Sequence, residues 1–188
     1  SLGGASDPDA PRNGPTVNAV RVALSKGIFV VAAAGNDGGI DDDGRVTTPS
    51  NVPEVITVGA SDSSGSVWAG SSVGESVDFN GNNRTHPNLK PEIIAPGVDI
   101  ISTGDKNQYY TSTGTSDSTA LVSGILALIL ESEPSLKQQD IDCILSVKFA
   151  LMNSTKPLEN GILHDEKWGY GAIDGYTWLE EIQNSVVC

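Results

Sequence analysis

A serine at the start of an apolar segment is the most chemically suggestive feature of this 188-residue sequence. Gly114-Thr115-Ser116 forms a turn of small residues, and the residues at 120–130 that follow it are mostly apolar. This pattern predicts a buried helix with Ser116 in its first turn. The N–H groups of a first turn carry partial positive charge, so they favour an anion nearby. Ser116 is therefore either a helix cap or a nucleophile whose oxyanion adduct the helix end stabilises.

Four glycine-containing stretches accompany this serine motif along the chain. They are residues 1–4 (Ser1-Leu2-Gly3-Gly4), 30–38, 90–98 and 168–171 (Trp168-Gly169-Tyr170-Gly171). Together with Gly114-Thr115-Ser116, they resemble the subtilisin-like serine proteases, the subtilases, and they stand in the family's order. The resemblance covers essentially the whole chain but only the later part of a subtilase domain. It implies that residues 1–188 are the C-terminal part of a single subtilase catalytic domain.

Helix and strand patterns agree with the fold that the resemblance implies. Residues 16–24 have apolar side chains at helical spacing after Pro15, and Gly27 ends that segment. The continuous apolar run at 28–33 predicts a strand buried on both faces of a parallel sheet, and residues 55–60 predict another. The expected fold class is α/β, a subtilisin-like parallel sheet flanked by helices, with the first strands of the domain missing.

The second half of the sequence predicts further elements of the same fold. They are a last core strand at 98–102, a hairpin arm at 109–111, and helices at 116–133, from Ser135 onward and at 176–182. Pro134 separates two of these helices, and Ser135 is the expected cap of the second. The apolar stripe of that second helix is expected to consist of Ile141, Ile144, Leu145, Phe149 and Met152.

The resemblance also implies roles for particular residues. Ser116 is expected to attack the scissile carbonyl, while the Asn36 amide and the backbone N–H of Ser116 hold the oxyanion. The residues expected to bind substrate and to wall the S1 pocket are Ser1, Leu2, Gly3, Gly4, Ala33, Ala34 and Gly35. The strand end at residues 1–4 is expected to pair with extended substrate backbone through main-chain hydrogen bonds. Small residues in these walls indicate a roomy, apolar S1 pocket.

A serine nucleophile needs a base, and subtilases carry the catalytic Asp and His before the serine. An upstream fragment of the same protein is expected to supply both, so this chain alone is predicted to be inactive. His86 lies in a polar loop and is expected to be exposed, and His164 is expected to be structural or idle. The expected activity is subtilisin-type hydrolysis of polypeptides. The alternative is a non-catalytic subtilase-fold module for peptide binding or for a structural extracellular role.

The residues that follow Ser116 depart from the family pattern. The family has Met, Ala, Thr, Pro and His where this chain has Asp117, Ser118, Thr119, Ala120 and Leu121. A carboxylate directly after the nucleophile would either repel a developing oxyanion or raise the pKa of a neighbouring histidine. Asp117 therefore predicts a reduced or differently tuned activity.

Composition and motif content exclude several other classes of protein. A formal net charge of -13 argues against a nucleic-acid footprint, which needs basic patches. No apolar run approaches the ~20 residues that a membrane-spanning helix needs. No glycine-rich phosphate loop follows a strand in the way that nucleotide-binding domains require. The residues around Ser116 also lack the second glycine of the α/β-hydrolase nucleophile elbow.

Cofactors and location are less strongly indicated. No cofactor is expected to be required, and the acidic run at 41–43 either binds a structural Ca²⁺ ion or forms a solvated loop. Cys143 and Cys188 either form a disulfide or remain separate thiols. Glycosylation acceptor patterns at Asn83 and Asn153, together with the resemblance, favour an extracellular or cell-surface location.

Overall fold

The computed structural model of the chain describes residues 14–38, 45–76, 82–156, 158 and 161–188. The helices in these ranges are α1 (Pro15–Leu24), α2 (Thr115–Ser132), α3 (Ile141–Asn153) and α4 (Gly175–Ser185). The strands are β1 (Val31–Ala33), β2 (Ile56–Ser61), β3 (Ile93–Pro96), β4 (Ile100–Thr103) and β5 (Tyr109–Ser112). Short 3₁₀ turns occur at Asp105–Asn107 and Pro134–Leu136.

The strands β1, β2 and β3 form a parallel sheet in that order. Val31 lies opposite Ile56, and Val58 lies opposite Ile93. Every residue of β2 is buried, as the continuous apolar runs predict for a strand covered on both faces. The first strand is shorter than expected, since Ile28 is exposed and regular pairing starts at Val31. The sheet and its flanking helices confirm the predicted α/β class.

The chain enters this sheet through α1, whose predicted start at Pro15 is confirmed. The end of this helical segment also matches the prediction, because Gly27 adopts a φ of 73°, which lies outside the range of a right-handed helix. A Cβ at Gly27 would lie 2.5 Å from the carbonyl oxygen of Gln139, so both the backbone conformation and the space require glycine. Val20 and Leu24 then pack with Ala32 of β1 in a small apolar cluster.

The predicted last core strand at residues 98–102 is wrong. The chain leaves the parallel sheet at Gly97, and Asp99 has a φ of 55° that redirects the backbone. Strand β4 then pairs antiparallel with β5, with Ile101 opposite Thr111, so the two strands form a separate hairpin. Most of its side chains are exposed, in contrast to β3. The predicted hairpin arm at 109–111 is confirmed as β5.

The helix α2 is the central element of the fold and packs against all three parallel strands. Its bounds, Thr115–Ser132, confirm the helix predicted at 116–133. The main core contains buried apolar residues from the sheet and from α2, α3 and α4: Ile56, Val58, Ile93, Ala95, Val122, Leu126, Ile129, Val147, Leu151, Trp178 and Ile182. Full burial of a large apolar side chain contributes about 1.5–3 kcal/mol, so this cluster holds α2 firmly on the sheet.

The predicted cap at Ser135 is wrong. Residues Pro134–Leu136 form a 3₁₀ turn, and α3 begins only at Ile141. Its N-cap is Asp140, whose side chain accepts a hydrogen bond of 3.0 Å from the N–H of Cys143. A carboxylate suits this position because the helix N-terminus is electropositive.

The buried face of α3 differs in part from the predicted stripe. It consists of Cys143, Ile144, Val147, Lys148, Ala150, Leu151 and Met152. Ile144 and Met152 were expected there, whereas Ile141 and Phe149 are exposed by 37% and 36%. Cys143 forms a disulfide with Cys188, which ties the C-terminal residue to α3 after the final predicted helix, α4.

An apolar groove lies between the segment that leads into β1 and one side of α2. Within the part of the chain that the structure describes, β1 pairs with β2 and with no other strand. The groove has a volume of about 620 Å³ and is lined by Gly27, Ile28, Phe29, Val30, Val31, Ser123, Leu126, Ala127, Leu130, Lys137 and Gln138. Leu121 and Leu128 on α2 are also exposed, by 42% and 73%. None of the helices in the described ranges has the length and apolarity that crossing a membrane demands.

Candidate active site

The residues of interest meet at the carboxyl end of the parallel sheet. Asn36 lies just beyond β1, Gly97 just beyond β3, and Gly114 immediately before α2. The N–H of Gly114 donates to the carbonyl of Gly97 at 2.8 Å, which fixes the start of α2 next to the end of β3. Ligands of open α/β sheets bind beyond the carboxyl ends of the strands, so the predicted residues stand in a suitable place.

Asn36 is locked in one orientation by Thr115. Its Oδ1 accepts hydrogen bonds from the backbone N–H of Thr115 at 3.0 Å and from the Thr115 hydroxyl at 2.9 Å. Because a backbone N–H can only donate, the atom facing it must be the amide oxygen. The other amide atom is then the nitrogen Nδ2, and a Cβ built on Gly114 would lie 3.3 Å from Nδ2 and 3.6 Å from Oδ1. Asn36 thus presents a donor beside the first turn of α2.

Ser116 is the second residue of α2 and is half-buried. The N-cap position belongs to Gly114, so Ser116 is not the N-cap residue that one interpretation of the sequence required. The turn around it is fixed from both sides. Thr115 accepts a hydrogen bond of 3.2 Å from the N–H of Gly35, and Ser118 donates to the carbonyl of Ala95 at 2.9 Å. The first turn of α2 is thereby tied to the ends of β1 and β3.

The predicted pocket walls are only partly described. Ala33 and Ala34 are buried at the end of β1. Gly35 has a φ of 121°, and a Cβ there would lie 2.6 Å from the Ser72 hydroxyl oxygen, so a larger residue would not fit. Ser1, Leu2, Gly3 and Gly4 lie outside the described residues. The structure therefore brings together Gly35, Asn36 and Ser116.

Asp117 makes a contact that the sequence did not indicate. The hydroxyl of Ser112, the last residue of β5, donates to Asp117 Oδ1. A Cβ built on Gly114 would lie 3.7 Å from the other carboxylate oxygen of Asp117, Oδ2, and 3.3 Å from Asn36 Nδ2. The carboxylate and the amide thus both flank Gly114. Finding Ser112 from sequence would have required the register of the β4–β5 hairpin.

Both histidines lie near the opposite end of the sheet. His86 is exposed, as expected, and its Nδ1 shares a hydrogen bond of 2.8 Å with the hydroxyl of Tyr170. His164 Nε2 donates to the carbonyl of Pro91 at 2.9 Å. Because Tyr170 N–H bonds the carbonyl of Glu92, just before β3, this group lies at the amino end of that strand. His86 is therefore placed away from Ser116, in keeping with the expectation that it is not the base.

Burial shifts the pKa values of His164 and Tyr170. It lowers the pKa of His164 below its usual value, although the carbonyl of Pro91 and nearby carboxylates oppose the change. Burial also raises the pKa of Tyr170 to about 12, with help from the negative charge of Glu92. Both groups are thus held neutral near pH 7, which suits a packing role.

A buried ion cluster accompanies this group. Glu92 Oε1 accepts from Lys90 Nζ at 2.8 Å and from Lys148 Nζ at 2.5 Å, and Glu92 Oε2 accepts from the N–H of Thr57 at 2.7 Å. Desolvation alone would raise the pKa of Glu92, but the ammonium groups of Lys148 and Lys90 hold it below its usual value. Desolvation and the nearby charge of Lys148 lower the pKa of Lys90 to about 7 against the attraction of Glu92. We call Lys90, Glu92 and Lys148 the buried ion cluster.

No metal site is evident in the described ranges, where no three His, Cys, Asp or Glu side chains are grouped to hold an ion. The acidic run at 41–43, which the sequence offered for Ca²⁺, lies outside the residues that the structure describes.

Comparison with known proteins gives a consistent result. The model of the subtilase family matches residues 1–171. The chain is 37% identical over 160 residues to serine protease AprX of Bacillus subtilis (strain 168), covering 77% of this chain and 36% of the relative. It is 36% identical over 141 residues to subtilisin DY of Bacillus licheniformis, covering 75% of this chain and 44% of the relative. The chain thus spans less than half of the length of these curated relatives.

Solved structures show the same fold. The prenylagaramide maturation protease PagA superposes with a TM-score of 0.72 at 24% identity, covering 98% of this chain and 61% of that one. The self-cleaved protease domain of PatA superposes with a TM-score of 0.72, and the match covers 100% of this chain and 62% of the PatA chain. The family match over residues 1–171 and these identities show that the chain belongs to the subtilase family.

Proposed function

We propose that this chain is the nucleophile-bearing part of a subtilisin-type serine endopeptidase. The observation that carries the proposal is the Thr115–Asn36 contact beside Ser116. Two hydrogen bonds from Thr115 engage Oδ1 of the Asn36 amide, which leaves Nδ2, close to Gly114, as the donor end of that amide. An oriented donor beside a helix-start serine is what stabilisation of a tetrahedral oxyanion requires.

The proposed reaction runs in two halves. The oxygen Oγ of Ser116 attacks the scissile carbonyl carbon, and its proton passes to a histidine base. The carbonyl electron pair becomes an oxyanion that Asn36 Nδ2 and the backbone N–H of Ser116 hold. The C–N bond then breaks as the histidine protonates the leaving amine, and an ester on Ser116 remains. Water attacks this ester through the same base, which releases the carboxylic acid and regenerates Ser116. No cofactor takes part in these steps.

The histidine base and the aspartate that orients it are proposed to come from an upstream segment of the same protein. The groove beside the start of β1 supports this idea, because it is apolar and because β1, among the residues that the structure describes, pairs with a strand on one side only, which suits a further parallel strand. The exposed Leu121 and Leu128 on α2 offer apolar surface for the same segment. In this proposal residues 1–188 alone do not hydrolyse peptides.

The proposed substrate is an extended polypeptide outside the cell. Its backbone is expected to pair with residues 1–4, and its acyl-side residue to enter an S1 pocket beside the end of β1, where Ala33 and Ala34 are buried and Gly35 is partly exposed. The Cys143–Cys188 disulfide supports an extracellular or cell-surface location, because disulfides persist in oxidising compartments.

A second function has one observation in its favour. The Asp117 carboxylate stands directly after Ser116 and near Asn36 Nδ2, where it opposes negative charge on the substrate. A subtilase-fold module that binds peptides without cleaving them is therefore the alternative. The two functions differ in whether Ser116 becomes acylated.

The substitution Asn36→Asp in the full-length protein tests the proposed function. An aspartate keeps an oxygen acceptor for Thr115 but lacks the amide donor. We expect kcat for a peptide substrate to fall by about 10²–10³, with KM and the unfolding midpoint little changed, because the lost donor acts on the transition state. An unchanged kcat in the folded variant would exclude Asn36 as the oxyanion donor.

A further inference from the structure

We propose that Asp117 is a specificity-determining residue that selects a positively charged side chain on the leaving-group side of the scissile bond. The proposal rests on the proposed function, since it needs Ser116 as the point at which the substrate is cut. It concerns a property of this chain's own sequence, the carboxylate that directly follows the serine.

The Asp117 carboxylate is held in place by its surroundings. The residue lies in the first turn of α2, where its backbone N–H donates to the carbonyl of Gly114 at 3.1 Å. The Ser112 hydroxyl donates a hydrogen bond to Asp117 Oδ1, and this hydrogen bond connects α2 to the end of β5. One carboxylate oxygen is thus engaged in positioning. The other, Oδ2, lies on the side of Gly114 that also faces Asn36 Nδ2.

The order of the elements gives the direction in which a substrate would run past Asp117. The proposed acyl-side walls, Ala33, Ala34 and Gly35, lie at the end of β1, the first of the three parallel strands β1-β2-β3 that the structure describes. The partner of Asp117, Ser112, belongs to the hairpin that follows β3, the last of those three strands. A substrate whose acyl side lies along the end of β1 therefore runs toward this hairpin after the scissile bond. Asp117 faces the leaving-group side.

The charge of Asp117 is available to a cation from the substrate. Within the described ranges, five ion pairs occur, and Asp117 takes part in none of them. Asp117 is only half-buried, so a cation from the substrate could approach its carboxylate without a large desolvation cost. Alternate residues of a strand share a face, which places Tyr110 on the same side of β5 as Ser112. Tyr110 is 55% exposed and offers an aromatic face to an arginine or lysine stem.

Paired peptides test this proposal in the full-length protein. Two fluorogenic peptides would be identical except for Arg or Glu at the first position after the scissile bond. We expect the unchanged protein to favour the Arg peptide in kcat/KM. Asp117→Asn should lower the Arg-to-Glu ratio by roughly tenfold, because one attraction and one repulsion are both lost. Raising the salt concentration should shrink the ratio of the unchanged protein toward that of the variant.

Two further variants separate position from charge. Ser112→Ala leaves the carboxylate but removes its anchor, and we expect it to lower the ratio by a smaller factor, about threefold. Asp142→Asn makes the same change of charge in the first turn of α3, and we expect an unaltered ratio. A ratio that Asp117→Asn does not change, or that Asp142→Asn changes equally, would overturn the proposal while hydrolysis still supports the protease function.

Binding measurements distinguish failure of this inference from failure of the proposed function. If no peptide is cleaved, the same pair is titrated against the full-length protein by fluorescence anisotropy. Tighter binding of the Arg peptide that disappears in Asp117→Asn would retain Asp117 as a selector of cationic peptides and reject the protease. Equal binding of both peptides would reject the role of Asp117 as well.

Discussion

The strand β3 has a polar cluster at each of its ends, and the two clusters have opposite properties. At its amino end the buried ion cluster of Lys90, Glu92 and Lys148 is closed: its side chains are buried, and Glu92 uses both oxygens to accept hydrogen bonds. At its carboxyl end Ser116 and Asp117 are half-buried, and Asn36 is exposed. The first cluster has opposite charges in contact, whereas the second has a carboxylate that pairs with no described cation.

The two clusters are therefore suited to different roles. The closed cluster stabilises the fold, whereas the open cluster suits the proposed chemistry. The strongly shifted pKa of Lys90 comes from the closed cluster, yet that cluster has no access for a substrate. The open cluster instead has one donor with a fixed orientation and a serine at a helix start. A search based on shifted pKa values alone would therefore select the closed cluster and not the proposed active site. Substitutions at the two ends should accordingly affect different quantities.

The largest expected effect is on the rate at the open end. We expect Ser116→Ala in the full-length protein to lower kcat for peptide hydrolysis by on the order of 10⁴-fold or more, since no other group can form the acyl ester. The unfolding midpoint should barely change. Ser132→Ala, at the other end of α2, is the matched control and should retain the original kcat. Comparable activity in the Ser116→Ala and Ser132→Ala variants would remove Ser116 from the mechanism.

The closed end should instead respond in stability. We expect Glu92→Ala to lower the free energy of unfolding by about 3–5 kcal/mol, because two buried ammonium groups lose their counter-ion. Chemical denaturation measures this change. Glu131→Gln, which removes the exposed pair between Glu131 and Lys137, should cost less than about 1 kcal/mol. Similar losses in the two variants would show that the cluster at β3 is not effectively buried.

A pH series sharpens the same comparison. The pKa of Lys90 is about 7 in the folded chain, while 10.5 is its ordinary value. Between these two pH values the unfolded chain binds a proton that the folded chain lacks, so stability from this group rises with pH across that window. The slope is at most about 1.4 kcal/mol per pH unit. Lys90→Met should flatten it, and equal slopes in the variant and the unchanged protein would contradict this assignment.

The smallest expected effect tests how Asn36 is positioned. Thr115→Val keeps the backbone N–H bond to Asn36 Oδ1 but removes the hydroxyl bond. We expect kcat to fall about tenfold, less than for Asn36→Asp, with KM nearly constant, because the donor is still present but less firmly held. Steady-state kinetics at several substrate concentrations measure both constants. A loss as large as that of Asn36→Asp would mean that the hydroxyl does more than orient the amide.

Local patterns were sufficient to predict much of the fold. The apolar spacing after Pro15 and the apolar run after Ser116 gave α1 and α2, because periodicity and breakers are local signals. The meeting of Asn36 and Ser116 followed from the family resemblance, since the two residues are far apart in sequence.

The errors arose where long-range contacts decide the structure. Residues 98–102 are apolar enough for a core strand, but a positive φ at Asp99 and pairing with β5 place them in a hairpin. Asp140 caps α3 in place of Ser135, because the 3₁₀ turn at Pro134–Leu136 delays the helix. The contact between Lys148 and Glu92 joins α3 to the start of β3, and no local pattern indicates it.

The central claim is that Ser116 is an activated nucleophile in the assembled protein. The most direct measurement is labelling of the native full-length protein with a fluorophosphonate probe, followed by peptide mapping of the modified residue. We predict one probe per molecule, attached to Ser116 and absent from the Ser116→Ala variant. A folded full-length protein that takes up no probe, or takes it up at another residue, would contradict the claim and favour the peptide-binding alternative.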